Sequence, residues 1–185
     1  MRAVSAVVPA AGLSKRMGGP NKLLLPYGET TVVGAVVLTL IECGLDVVVV
    51  TGRDADLVAQ AVAPARAVFN PDFEQGLGGS IAVGARNVPE GNAILIALGD
   101  MPALINETVD AIIASGTDDF IVVPHYLGAP KVPGHPVLFG AKFREALTQL
   151  SGEKGAKEVI DANPANVVTL HFRGAFKGID VPGDL

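Results

Sequence analysis

The chain contains no tryptophan, one cysteine, 5% aromatic residues and only 18% charged residues. A single cysteine excludes an internal disulfide, and Cys43, at the end of an apolar helical pattern, reads as a small buried side chain rather than a nucleophile. No apolar stretch reaches the ~18 residues that a membrane span requires, and the N-terminus lacks a basic segment followed by an apolar core and a cleavage site. The expectation is a cytoplasmic protein with no membrane partner. A pI of about 5.1 and the want of a basic stripe argue against nucleic acid as a partner. No Ser-His-Asp or Cys-His arrangement is evident. Acidic residues are missing from Met1 to Gly28, where four Lys/Arg stand in a chain whose overall charge is -5. That positive charge is local, so the expected partner is a small polyanion.

What is present suits a globular fold. With 49% of its 185 residues hydrophobic, the chain can form one domain, and a domain of this size buries about 70% of its unfolded surface. The segment from Ala3 to Pro9 reads as a buried strand and ends abruptly in Ala10-Ala11-Gly12-Leu13-Ser14-Lys15-Arg16-Met17-Gly18-Gly19-Pro20-Asn21-Lys22. Gly12, Gly18 and Gly19 allow close approach of backbone N–H donors to an anion. Lys15, Arg16 and Lys22 supply charge-assisted hydrogen bonds to phosphate oxygens. The blander alternative is a glycine-rich surface turn with chance cations. Two common phosphate motifs are excluded. A P-loop needs glycine where Met17 stands, and Gly76-Leu77-Gly78 is followed by Ile81 where a dinucleotide fingerprint needs its third glycine.

Apolar spacing then predicts alternating elements. Val33, Val36, Val37, Leu40 and Ile41 mark a helix with Thr30 or Thr31 as N-cap and Gly44 just past its end. Asp46 to Thr51 is a valine run typical of a parallel strand covered on both faces. Asp54 is expected to cap a second helix reaching about Ala63, before a short strand from Ala65 to Phe69. Asn70 to Gly79 reads as a loop, and Gly76-Leu77-Gly78-Gly79-Ser80 leads into a helix from Ile81 to about Asn87. Those glycines can offer N–H groups to an anion, or Ser80 can be a plain helix cap. Ala93 to Leu98 reads as a strand running into Gly99-Asp100-Met101-Pro102. Asp100, just beyond a buried strand, suits a hard-metal ligand or an Asx-turn. Asn106 is expected to cap the helix Glu107 to Ser115, leaving Asp100 for another role. Phe120 to Pro124 is a further strand, His125 to His135 a loop, Pro136 to Phe139 a strand, and Ala141 to Leu150 a helix. Glu153 is a candidate start for the next helix, and Val167 to Leu170 reads as the last strand. The sum is a mostly parallel, doubly wound α/β fold, a single domain over residues 1–185 with a substrate-side elaboration around 125–136.

The opening motif resembles the A-A-G-x-S-x-R-M-G…K signature of nucleotidyltransferases that activate a phosphorylated metabolite with a nucleoside triphosphate. Among these the chain is most similar to the molybdenum cofactor cytidylyltransferase family, relatives of the molybdopterin guanylyltransferases. The resemblance implies a three-layer α/β/α Rossmann-like nucleotidyltransferase that moves CMP from CTP onto the phosphate of molybdopterin and releases pyrophosphate. It also implies Mg2+ as cofactor and a client molybdoenzyme as a further partner. Carried onto this sequence, Ala10, Ala11, Gly12 and Ser14, together with Gly78, Gly79 and Ser80, bind nucleotide. Arg16 binds the β- and γ-phosphates, and Lys22 stabilises charge at the α-phosphate. Asp100 of Gly99-Asp100-Met101-Pro102 binds the metal with Asp180 of Ile179-Asp180-Val181-Pro182, and His135 of Gly134-His135-Pro136 faces the acceptor. Glu153 replaces a commoner aspartate, while Gly178 and Gly183 replace acidic residues of the family's ending. Alanine at both Ala10 and Ala11 goes with cytidine in the resemblance, and two methyls leave less room beside a base than a glycine does. Pro9 is similar instead to methylerythritol phosphate cytidylyltransferases, so a cytidylyltransferase for another phosphorylated metabolite stays open. So does a noncatalytic binding or maturation factor.

Overall fold

A computed structural model describes residues 3–12, 20–127 and 133–173. The chain opens with strand β1, Val4–Ala10, followed after a 3-10 turn over Lys22–Leu24 by a small antiparallel pair, β2 (Pro26–Tyr27) and β3 (Thr30–Thr31). Helix α1 (Val32–Glu42), strand β4 (Asp46–Thr51), helix α2 (Ala55–Ala61) and strand β5 (Arg66–Phe69) come next. Helix α3 (Leu77–Arg86), strand β6 (Ala93–Ile96) and helix α4 (Asn106–Ala114) lead to β7 (Ile121–Tyr126) and β8 (Val137–Phe139). Helices α5 (Arg144–Thr148) and α6 (Lys157–Ala162) precede β9, Val167–Phe172.

Seven strands form one sheet in the order β5-β4-β1-β6-β8-β7-β9. The pairs β1–β4, β1–β6, β4–β5 and β7–β9 are parallel, whereas β8 runs against both β6 and β7. The expected mostly parallel α/β architecture is therefore the one observed. The chain winds outward from β1 through β4 to β5 and then returns to place β6 on the other side of β1. Such a reversal of strand order opens a crevice beyond the carboxyl ends of the flanking strands.

Period-two alternation along the strands feeds two apolar layers. Ala6 and Val8 of β1 join Val49 of β4 and Leu95 of β6 beneath α1, whose Val32, Val33, Val36, Val37 and Leu40 lie in the same cluster with Val109 and Ile112 of α4. Val7, Val48, Val50, Ile94 and Ile96 point the other way, against Ile81 and Ala85 of α3 and Leu147 of α5. Each such aliphatic side chain contributes about 1.5–3 kcal/mol when fully withdrawn from water, so both layers hold β1 and β6 rigidly beneath the crevice. Thr31 caps α1 as expected, its Oγ1 accepting from Gly34 N at 3.1 Å.

Several element ends differ from expectation. The strand expected to reach Leu98 ends at Ile96, while β7 runs on through His125 and Tyr126. Those two residues leave the expected loop because β9 supplies partners: His125 stands opposite His171 and Tyr126 opposite Phe172. Asn106 is the first residue of α4 rather than its cap, which is Ile105, and its amide donates to Glu42 Oε2 at 3.3 Å. Glu153 does not begin a helix, since α6 starts at Lys157. Ser80 lies inside α3 and caps nothing, because that helix begins at Leu77 with Gly76 at its N-cap.

Candidate active site

Residues from four distant parts of the sequence meet at the carboxyl edge of the sheet. Ala10 ends β1, and Ala10 and Ala11 are only 1% and 4% exposed. An added Cβ at Gly52, just beyond β4, would lie 2.8 Å from the Ala11 methyl. The two alanine methyls are thus spent on packing, and what this turn offers a ligand is backbone. Gly12 is exposed and has open space where a side chain would start.

Lys22 arrives on its own short 3-10 turn, which Asn21 caps through Oδ1 accepting from Leu23 N at 3.1 Å. Apolar packing of Leu23, 4% exposed, anchors the turn, with α1 nearby in the same cluster. Asp100 arrives from the turn after β6. Lys22 Nζ donates to Asp100 Oδ2 at 2.5 Å, with side-chain exposures of 16% and 23%. An ammonium and a carboxylate from positions 78 apart in sequence thus share one partly dried position at the β1/β6 crevice.

His135 lies at the same edge because β8 runs backwards: Val137 pairs with Ile96, so the residues before β8 sit beside the carboxyl end of β6. Its Nδ1 is 3.4 Å from Ile96 O. Burial pushes the imidazole below its ordinary pKa of 6.5, and the Ile96 carbonyl and then the Asp100 carboxylate pull it partly back. Tyr126 Oη donates to His135 O at 2.7 Å, and burial pushes the phenol up to about 12, so this donor stays protonated at neutral pH. Gly134 N donates to Pro124 O at 2.8 Å, and a Cβ on Gly134 would sit 2.4 Å from the Tyr126 ring. Glycine is what lets the residues just before β8 lie against β7. Ala97, Leu98, Met101, Leu104, His135 and Pro136 close together beside Asp100 around a gap too small for a water molecule.

The glycines before α3 are arranged differently. Gly78 N donates to Gly152 O at 2.8 Å, and a Cβ there would meet Ser151 O at 2.6 Å. Gly78 is therefore explained by close packing against the 151–152 turn. Gly79 has open space around it. Ser80 is 3% exposed and its Oγ accepts from Asn70 Nδ2 at 3.1 Å, a tie across the mouth of the β5 loop. Ser14 and Arg16, with Lys15, Gly18 and Gly19, lie outside the described residues, as does Asp180. Two histidines escaped the sequence reading: His125 and His171 face each other edge to face, ring centroids 5.9 Å apart. With His135 they are all the histidines of the chain, and each lies at the carboxyl end of the sheet or beside it; that count was the available signal.

Among the described residues no three His, Cys, Asp or Glu side chains gather as a metal cluster. Among the described residues, Asp100 brings two hard carboxylate oxygens to Lys22. Mg2+ and Mn2+ commonly take one or two carboxylates and complete their shell with phosphate oxygens and water, so the donor chemistry here fits such an ion. Among the described residues, no helix is long and apolar enough to cross a membrane.

Known proteins are similar to the chain over most of its length. The family model described as "MobA-like NTP transferase domain" matches residues 6–167. The nicotine blue oxidoreductase of Paenarthrobacter nicotinovorans is 36% identical, over 96% of this chain and 91% of its own length. The molybdenum cofactor cytidylyltransferase of Escherichia coli is 31% identical over 75% of this chain and 70% of its own. Among solved structures, Rv0371c from Mycobacterium tuberculosis superposes with a TM-score of 0.87 at 31% identity, covering 100% of this chain and 96% of that one. A second structure of that protein is a complex with manganese.

Proposed function

Because the chain belongs to the MobA-like NTP transferase family, a family of nucleotidyltransferases, we propose that it transfers CMP from CTP to the phosphate of molybdopterin. The observation that carries this reading is the meeting of Lys22 and Asp100 at 2.5 Å in the crevice between β1 and β6. In the reaction an acceptor phosphate oxygen forms a bond to the α-phosphorus, the bond from that phosphorus to the β-phosphate oxygen breaks, and pyrophosphate leaves. No general base is needed, since a phosphate monoester with its second pKa near ~6 is mostly dianionic at neutral pH. Positioning and electrostatics supply the catalysis.

Each residue has a matching task. Backbone N–H groups at the Ala11–Gly12 turn bind phosphate oxygens, with Ser14 and Arg16 of the same segment assigned to the triphosphate. Lys22 turns its ammonium from Asp100 to the α-phosphate, where negative charge grows. Asp100, with Asp180, holds Mg2+, which when bound neutralises charge on the triphosphate. Gly79 and Ser80 border the nucleoside, Gly78 shaping the turn on which they stand. His135, whose pKa burial holds below its ordinary value, is assigned to the acceptor side as an uncharged imidazole.

The decisive experiment incubates the protein with each of the four triphosphates, Mg2+ and molybdenum-loaded molybdopterin, and identifies any dinucleotide by mass. A cytosine dinucleotide with stoichiometric pyrophosphate is expected. Lys22→Ala and Asp100→Ala are each expected to lower turnover at least ~10²–10³-fold, the usual cost of one positioned donor, with unchanged circular dichroism. Wild-type turnover in either variant refutes the assigned roles. Pyrophosphate release with methylerythritol phosphate alone would select the other cytidylyltransferase, and tight binding without product a maturation factor.

A second reading rests on the 36% identity to nicotine blue oxidoreductase across nearly the whole chain. On that reading the crevice holds a planar heterocycle for reduction. Bleaching of nicotine blue by a two-electron donor in the presence of the protein, without any pyrophosphate release, would select it.

A further inference from the structure

Asp54 occupies a position that backbone conformation alone would give to glycine. Its φ of 56° and ψ of 37° lie in the left-handed region. Among the described residues it is the non-glycine with positive φ, while six glycines hold the other such positions. Aspartate visits this region more readily than most L-residues but less readily than glycine, so something besides conformation accounts for a carboxylate here. Helix capping is not the reason. Asp54 precedes α2, yet its side chain makes no capping hydrogen bond.

The carboxylate instead reaches the Lys22 turn. Asn21 Nδ2 donates to Asp54 Oδ2 at 3.2 Å, and Arg53 Nε lies 3.3 Å from the same oxygen. Asn21 is 6% exposed, and its other amide atom, Oδ1, accepts from Leu23 N at 3.1 Å. The amide orientation is thereby fixed: a carboxylate only accepts and a backbone N–H only donates, so a flipped amide would lose both bonds. A chain of contacts therefore runs from the end of β4 through Asp54 and Asn21 to the 3-10 turn whose first residue, Lys22, meets Asp100 beyond β6.

We propose that Asp54 is a positioning residue for Lys22, clamping Asn21 so that the turn aims the lysine ammonium into the crevice. The clamp ties a short turn to the rigid sheet from the far side of β1, and a misplacement of about 1 Å in such a group can cost on the order of 10² in rate. Its consequence for turnover rests on the nucleotidyl-transfer reading; its consequence for Lys22 does not.

Two substitutions separate the clamp from the backbone. Asp54→Gly keeps the left-handed conformation and removes the acceptor, whereas Asp54→Asn keeps both the conformation and a carbonyl acceptor. For Asp54→Gly we expect kcat to fall about 10–100-fold, KM for the triphosphate to stay within about threefold, and Tm to hold or rise. Asp54→Asn restores kcat to within about threefold, and adding Asn21→Ala to Asp54→Gly costs no more than the worse single change, as for residues acting in one chain. Independently of turnover, acetylation followed residue by residue with mass spectrometry should find Lys22 protected in the wild-type and Asp54→Asn proteins and modified several-fold faster in Asp54→Gly. Unchanged Lys22 acetylation in Asp54→Gly overturns the proposal, as does wild-type kcat in that variant. Faster acetylation in a protein that turns over no triphosphate upholds the clamp and removes nucleotidyl transfer.

Discussion

At the scale of single residues, the site pairs groups whose charge is useful with groups whose charge is suppressed. Lys22 and Asp100 meet as an ion pair in a partly dried crevice, where a lone charge would be costly. A ligand that takes one must satisfy the other, so triphosphate and a hard cation are expected to enter together. His135 is the opposite case. Burial lowers its pKa below 6.5, so the unfolded chain, titrating near 6.5, binds the proton more readily than the native protein does. Above that pH both states are neutral and His135 contributes no pH dependence. As pH falls below about 6.5 and through the lowered native value, stability is lost. Chemical denaturation from pH 7 to 5 should therefore show a drop that His135→Gln reduces; an identical slope in the variant would mean that the imidazole is not held neutral. The local sequence made Lys22 and Asp100 legible, because a buried strand ending in small residues or in Gly-Asp-Met-Pro advertises its own end. It did not reveal what Asp54 does. An acid before a helix reads as a cap, and nothing within a few residues says that its partner is 33 positions away.

At the scale of elements, β8 decides the shape of the rim on which His135 lies. Three residues, Val137 to Phe139, are too few for the sequence to state a direction, and the run looks like any other buried strand. Only pairing with β6 and β7 shows that it is inverted. The extension of β7 was hidden for a related reason, since Pro124 and His125 look like a strand's end until β9 is in place to receive them. Helix α1 was legible because its apolar residues recur at helical spacing and Thr31 and Gly44 punctuate it, whereas the first turn of α3, from Leu77, was hidden by glycines that read as loop. Gly134 is where β7 and the start of β8 touch, and Gly134→Ala forces a methyl into the Tyr126 ring. Overpacking of this kind typically costs about 1–3 kcal/mol. Urea denaturation should report a loss of that order, together with a weakened acceptor KM; a variant as stable as wild type would mean the loop lifts off β7 at no cost.

At the scale of the whole molecule, an acidic chain of net charge -5 confronts an anionic substrate with a locally basic first turn. Long-range attraction is therefore small, and binding rests on contacts inside the crevice. Ligands that bind only the folded state stabilise it by about 2.7 kcal/mol at 100 times their Kd. For a chain of this length that corresponds to a rise in Tm of roughly 5–11 °C. Thermal scans with saturating CTP and Mg2+ should show this rise, and omission of either component should abolish most of it. An equal shift with CTP alone would contradict the paired entry of nucleotide and cation at Lys22 and Asp100.

The inverted strand has one more consequence. Since β7 finishes and β8 starts at the same rim, the stretch that joins them begins and ends on the reactive side of the sheet. Evolution can lengthen, shorten or rewrite that stretch while the half of the rim built on β1 and β6 stays as it is. Relatives named as different as a molybdenum cofactor cytidylyltransferase and a nicotine blue oxidoreductase are what such an exchangeable rim would be expected to yield.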